Sequence, residues 1–578
     1  MAIGRAKDKQ KFKPITSVRR SQLITTYGIG SLIPIASESF IMLGQNYWFH
    51  SKAQEERNEI VEPGLAKALG VRTFLQPPSG EHSPLRLARF PEWASCPNCN
   101  RLSRWSQLAR KVNDEWLNEC RHCPGKSLVT SRFVAACSNG HIQDFPYWRW
   151  VHQNQSNEDN GRQHDLRLTV DGTDDSLRGI KIVCSCGAQR SMENALGRGA
   201  LRIRCEGKTP WLPQLADAQC GQWLVGLQRG ASGVWRSEVR SAISISAPET
   251  EAEIWIRENY DRLSRMPETL RRGTLEFQAG ELSVPVTDLV KVFNSHKVDP
   301  NAEPNETLMQ EIRDKEYRAF QASAPEIDGD EQFICEVERV EPRLRDELGL
   351  FSIASLPRLR EVRALTGFSR IDSGDEESDR NESLLSEMRM DWLPAIEAFG
   401  EGVFVQLCPD RIHRWETSQF AVTRAHRIND AAPITGSTPR YLLLHSLSHA
   451  LMNQLALTTG YPASSIRERI YARGEQAGIL LYTSTSDSAG SLGGLSAQGT
   501  VDNLSKILTR AVEHARWCTA DPVCIESNVR GVDSTNLAAC HYCMLAPEVS
   551  CESKNQFLDR ACLVGVPEES EGGYFNLS

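Results

Sequence analysis

Apolar and polar positions change period along the chain, and those changes mark its elements. Two short apolar runs, SQLITTYGIGSLIPI (21–35) and SFIMLGQNYWF (39–49), broken near Gly28 and Gly30, predict strands or a strand and turn. EAEIWIRENYDRLSRM (251–266) and ETLMQEIRDKEYRAFQA (306–322) carry helical spacing, within a stretch rich in helix formers. IDSGDEESDRNES (371–383) has no apolar residue after Ile371 and reads as a loop or linker. Beyond it GEGVFVQL (400–407) predicts a strand ending near Cys408, and YLLLHSLSHALMNQLALTTG (441–460) a buried helix closed by Gly460. SSIRERIYARG (464–474), opening on serine, predicts a further short helix. AGILLYTSTSD (477–487) predicts a buried strand, and a glycine loop, 489–494, leads into the helix VDNLSKILTRAVEHARWC (501–518). That order of helix, strand, loop and helix points to a parallel α/β element.

At 578 residues the chain has room for three or four domains. The expected architecture is mixed α+β and α/β, multidomain. It comprises a basic arm and small β-rich region (1–95), a multi-zinc ribbon domain (96–240), a helical, acidic middle with linker (241–385) and a C-terminal α/β zinc-binding domain (386–578). No run of 18 apolar residues predicts a membrane helix, and the charged start MAIGRAKDKQKFKP lacks a secretory apolar region, so a cytoplasmic protein is expected. The net charge is −8 but unevenly spread. Residues 1–20 hold seven Lys/Arg against one Asp, residues 96–240 hold 20 basic against 14 acidic, and residues 241–400 hold 19 against 34. The N-terminal part is therefore the one suited to phosphate, although a solvated face is the plainer account of both charge blocks.

Seventeen cysteines are many for a reducing compartment. All but Cys335 and Cys408 fall between Cys96 and Cys220 or between Cys518 and Cys562. Close C-x-C and C-x2-C pairs suit a tetrahedral zinc ion, because each pair offers it two thiolates. Cys96/Cys99 with Cys120/Cys123 reads as a zinc ribbon. Cys184/Cys186 with Cys205 and Cys220 reads as a second site. Cys137, His141, His152 and His164 are candidates for a further one. At the C-terminus one zinc needs four of Cys518, Cys524, Cys540, Cys543 and Cys551, with Cys518 as the expected spare. Cys562, in the apolar run ACLVGV, fits a buried thiol instead.

Three features bear on chemistry. His445 and His449 lie four apart on one helix face, half of a zinc-hydrolase arrangement, but no acid stands between them and no third ligand is evident nearby. With Asp487 they would make a hydrolase or nuclease site; a pair hydrogen-bonded inside a core is the plainer expectation. The loop containing Gly490, Gly493 and Gly494 offers backbone N–H groups to a phosphate, or is simply a tight turn; it lacks the Lys-Ser/Thr of a P-loop, and no G-x4-G-K-[ST] occurs in the chain. ATP hydrolysis by this chain alone is therefore not expected, and no catalytic residue is assigned. Trp148 and Arg149, in FPYWRW, would stack on bases or pack around a zinc knuckle. With Arg5, Lys7, Lys9, Lys11 and Lys13 of the basic arm, they and the three glycines are the candidate DNA contacts.

Cys540-His541-Tyr542-Cys543, then Pro547 to Glu552, Asn555 and Leu558-Asp559-Arg560, resemble the C-terminal zinc-binding domain of MrfA-type helicases. The His-x3-His helix, IRERIY and the glycine loop fit the same domain. RRSQLITTYGIGSL, PEWASCPNC, RFVAACSNGHIQDFPYWRWVH, LQRGAS, LREVRALTGFSRI and GEGVF resemble the DrmB family of the bacterial DISARM anti-phage system. His164 departs from that pattern, which is expected to carry cysteine there. The resemblance implies an accessory subunit that works with a helicase-like ATPase of the DrmA type and engages DNA through the complex, restricting phage DNA. A zinc hydrolase and a freestanding zinc-ribbon DNA-binding protein are the competing readings.

Overall fold

The structure is a computed structural model describing residues 17–49, 51–79, 85–153, 164–217, 219–245, 250–295, 304–323, 333–371, 383–431, 437–485, 493–527 and 535–576. The chain divides into two compact units, each assembled from separated stretches. The first comprises Met1–Glu59, Leu75–Arg240 and Ala364–Ile396; the second, Ile60–Phe74, Ser241–Arg363 and Glu397–Ser578.

The first unit is built mainly from small antiparallel sheets. The run read as strands around Gly28 forms a short helix, Gln22–Thr25, and then a hairpin of Leu32–Ile35 with Glu38–Met42, joined by Leu87–Arg89. A six-stranded sheet runs Val129–Thr130, Trp93–Ser95, Arg101–Arg104, Leu166–Val170, Ile180–Cys184 and Gln189–Ser191 in spatial order. Two three-stranded sheets complete the set. One is Cys123–Ser127, Glu115–Cys120 and Ala109–Val112; the other is Ile142–Asp144, Phe133–Ala136 and Val225–Gln228. Strands this short bury little apolar area each, so the sheets need cross-links beyond side-chain packing.

In the second unit the helices expected in the middle segment form at Glu251–Ser264 and Glu306–Ala319. The first starts with a capping box: the Thr250 hydroxyl accepts from the Glu253 N–H, and the Glu253 carboxylate accepts from the Thr250 N–H. The buried helix forms at Pro439–Thr459, with Thr438 capping the Tyr441 N–H and Gly460 at φ 75° ending it. Leu442, Leu443, Leu444, Leu447, Leu451 and Leu455 put apolar groups all round it, which is the pattern of a helix enclosed on every side.

Two expectations are corrected here. IRERIY is a strand, Ile466–Tyr471, not a helix. It pairs antiparallel with Gly478–Thr485, which pairs antiparallel with Trp392–Leu407. The sheet around these strands, Arg236–Ile243, Leu350–Ser369, Trp392–Leu407, Gly478–Thr485 and Ile466–Tyr471 in order, is therefore not the parallel α/β element expected. The physical reason is local. Once IRERIY is a strand, a short hairpin through Arg473-Gly474 reaches the next strand, and no helical crossover is needed.

Candidate metal centre

Four groups of thiols and imidazoles close around points where a zinc ion would fit. With Zn–S near 2.3 Å, tetrahedral geometry sets S···S edges of roughly 3.8 Å, and Zn–N near 2.0–2.1 Å sets S···N edges of roughly 3.6 Å. The observed edges can be held against those values.

Cys96, Cys99, Cys120 and Cys123 come together as expected, with Cys99 and Cys120 Sγ 3.9 Å apart. Each pair sits on a tight turn. Asn100, at φ 59°, donates its N–H to the Cys96 carbonyl, and Cys120 and Cys123 face each other across a hairpin.

The next two groups exchange partners relative to the sequence reading. Cys205 and Cys220 join Cys137 and His141, whereas Cys184 and Cys186 join His152 and His164. Strand pairing dictates this. Ala136 lies opposite Val225, which brings Cys137 beside the segment leading out of Cys220. Leu166 lies opposite Cys184, which brings His164, two residues earlier, to the same corner. The distances are 3.5 Å from Cys137 Sγ to His141 Nδ1, 3.9 Å from Cys137 to Cys220, 3.3 Å from Cys184 to His164 Nδ1, and 3.3 Å from Cys186 to His152 Nε2. His152 Nδ1 lies 2.8 Å from the Trp148 carbonyl, which fixes the proton there and leaves Nε2 for a metal. The Ala188 N–H and His152 hold the Cys186 thiol down at about 6, in the range of a metal-ready thiolate.

At the C-terminus the quartet is Cys518, Cys524, Cys540 and Cys543, so Cys518 is a member and not the spare. Its Sγ edges are 3.5 Å (Cys518–Cys540), 3.8 Å (Cys524–Cys543) and 3.7 Å (Cys540–Cys543). Asp521 pins the turn between the first two by accepting the N–H groups of Cys518 and Ile525, and the buried Arg560 pairs with it. Cys562 is buried away from this quartet, against Asp559.

Cys551 goes elsewhere. It stands with His445, His449 and Glu468 in a fully enclosed group. His445 Nε2 is 3.1 Å from Cys551 Sγ and 3.0 Å from Glu468 Oε1, and His449 Nε2 is 3.5 Å from that oxygen. The sequence reading missed Glu468 because it placed IRERIY on a helix.

Of the DNA-contact candidates, Arg5, Lys7, Lys9, Lys11, Lys13 and Gly490 lie outside the described residues, as does Asp487. Trp148 stacks on His152, with ring centroids 4.6 Å apart, and Arg149 is exposed. Both line a polar groove with Arg101, Arg104 and Lys208, whose charges are paired with Asp165, Glu92 and Glu206. Gly493, at φ 72°, and Gly494 lead into a short turn whose Ser496 N–H is taken by the buried Glu401 carboxylate. No described helix is long and apolar enough to cross a membrane.

The fold and these quartets define a protein whose small sheets are cross-linked by zinc-type clusters. Residues 447–544 match the family described as the MrfA Zn-binding domain, so the chain carries an MrfA-type zinc-binding domain and zinc is its metal. Residues 19–236 match a domain of unknown function, DUF8724. The chain is 30% identical over 588 aligned positions to the DISARM protein DrmB of Bacillus paralicheniformis, covering 93% of this chain and 99% of that one. It belongs to the DrmB family of DISARM proteins.

Proposed function

We propose that this chain is a zinc-stapled accessory subunit of a DNA-translocating anti-phage defence complex, working in the cytoplasm beside a helicase-like ATPase of the DrmA type and positioning DNA for it. The observation that carries this reading is the match to a DISARM protein over nearly the whole of both chains. The lack of any complete G-x4-G-K-[ST] supports it, because that glycine-framed loop is what sets a Lys and hydroxyl on β/γ-phosphates and Mg²⁺. In this reading zinc is held at Cys96/Cys99/Cys120/Cys123, Cys137/His141/Cys205/Cys220, His152/His164/Cys184/Cys186 and Cys518/Cys524/Cys540/Cys543. Each set offers four protein donors and no open position, as structural zinc does. Zinc supplies cross-linking there, and the residues around each ion supply turns and tautomers.

DNA contact would come from the basic arm, the groove bearing Trp148 and Arg149, and the Gly493–Gly494 turn. The net charge of −8 limits long-range attraction, so binding by the chain alone should be weak and fade as salt rises. The test assays this chain, the ATPase and the pair for ATP hydrolysis and for DNA affinity across a salt series. Activity and tight binding only in the pair support the reading. Robust ATPase from this chain alone overturns it, and tight, salt-resistant DNA binding by it alone favours a freestanding DNA-binding protein.

A further inference from the structure

The group around His445 lies apart from the four cysteines of the zinc-binding domain, and His445 and Cys551 fall outside the matched residues 447–544. We propose that His445, His449, Glu468 and Cys551 hold a second, closed zinc ion in the second unit.

Three elements converge on the point. The Pro439–Thr459 helix presents His445 and His449 from one face, four residues apart. The Ile466–Tyr471 strand presents Glu468, and the loop after the cysteine quartet presents Cys551. That loop is fastened to the strand from both sides: the Glu468 N–H donates to the Ser550 carbonyl at 3.0 Å, and the Glu552 N–H donates to Glu468 Oε1 at 3.2 Å.

The proton inventory calls for a cation. His445 Nδ1 lies 3.2 Å from the Phe557 carbonyl, and His449 Nδ1 lies 2.7 Å from the Met544 carbonyl. A carbonyl only accepts, so both imidazoles carry their proton on Nδ1 and turn the Nε2 lone pair inward. Those lone pairs face a carboxylate oxygen, which only accepts, and a sulfur whose single S–H serves one of them at most. His449 Nε2 is buried with no hydrogen-bond partner, a costly state in a dry interior. The other Glu468 oxygen accepts from the Ser448 hydroxyl, and Cys551 Sγ accepts from the Asn555 N–H at 3.2 Å, so each anion is oriented from outside.

One divalent ion satisfies all four atoms. With a carboxylate and a thiolate it also makes a neutral centre, which is what an enclosed interior tolerates. Two imidazoles, one carboxylate and one thiolate suit zinc; a thiolate excludes Mg²⁺ and Ca²⁺. The four donor atoms lie within 4.8 Å of one another. His445, His449 and Glu468 have no exposed surface, so the centre is closed to substrate and acts as a staple between helix, strand and loop. It does not depend on the proposed role in defence.

The test is anomalous diffraction at the zinc edge from crystals of the full chain purified without chelator, together with zinc counting in wild type and in the variants Glu468→Gln and Cys551→Ser. The expected map has a peak between His445, His449, Glu468 and Cys551 besides those at the four other groups, and folded variants lose one zinc per chain. Peaks at the other groups with none here overturn the proposal, as do folded variants that keep the wild-type count. If the variants do not fold, the wild-type map decides alone.

Discussion

Glu468 and Arg469 are neighbours on one strand and serve opposite faces of it. Glu468 meets His445 on the helix side at 3.0 Å, while Arg469, also fully buried, pairs with Glu316 at 2.6 Å on the other. Alternation along a strand separates the two charges that a helix would have left about 100° apart. Tyr471, two residues on, shares the Arg469 face and donates its hydroxyl to the second Glu316 oxygen at 2.8 Å.

Removing Arg469 strands the buried Glu316 carboxylate without the cation that pairs with it and leaves Glu361 to Arg363. Arg469→Met should therefore destabilise the second unit by about 3–5 kcal/mol, the cost of breaking a buried pair from one side. Denaturant melts would show it. A midpoint within error of wild type would mean the pair is solvated in solution.

Cys540→Ser should unfold the C-terminal knuckle rather than delete a reaction step. Structural zinc binding in small domains is worth on the order of 10 kcal/mol, and the turn from Cys518 to Cys543 has little apolar core of its own. New early cleavage around residues 518–545 in limited proteolysis is the expected outcome. An unchanged fragment pattern in a variant that has lost function would instead point to a catalytic metal.

The exchanged partners can be read by zinc counting in pairs of variants. Cys137→Ser and Cys205→Ser occupy one group, so the double variant should lose the same single ion as either alone. Cys184→Ser combined with Cys205→Ser should lose two. If Cys184 and Cys205 together cost only one ion, the strand register described here is wrong.

Acid should weaken the second unit in a defined window. Burial alone would raise the Glu361 carboxyl, but Arg363, paired at 2.6 Å, and Arg469 outweigh it and hold it well below the ordinary range. A carboxyl depressed on folding stabilises the fold above its unfolded value, about 4.3, and that contribution is lost as pH falls from there through the folded value. Glu361→Gln should melt lower than wild type at pH 7 but fall less steeply below about pH 4. Parallel acid curves for the two proteins would remove Glu361 as a source. Zinc release, common to both, cancels in the comparison.

Spacing alone determined that this chain binds metal. The C-x2-C pairs at Cys96, Cys120 and Cys540 force their thiols together on single turns, whatever the rest of the chain does. The long buried helix was equally plain, because leucines on every face and Gly460 at its end leave one element that satisfies both. What spacing could not determine is which distant half-sites meet. Cys205 lies nearer in sequence to Cys186 than to Cys137, yet the pairing of Phe133–Ala136 with Val225–Gln228 carries its group to Cys137. The same limit hid Glu468 and Cys551 from His445. IRERIY sets three charged residues in a row between Ile466 and Ile470, a six-residue pattern too short for periodicity to separate strand from helix, and only its hairpin with Gly478–Thr485 settles it. Local turn geometry is written in adjacent residues, whereas a four-cornered site built from several elements exists only once the sheets have chosen their register.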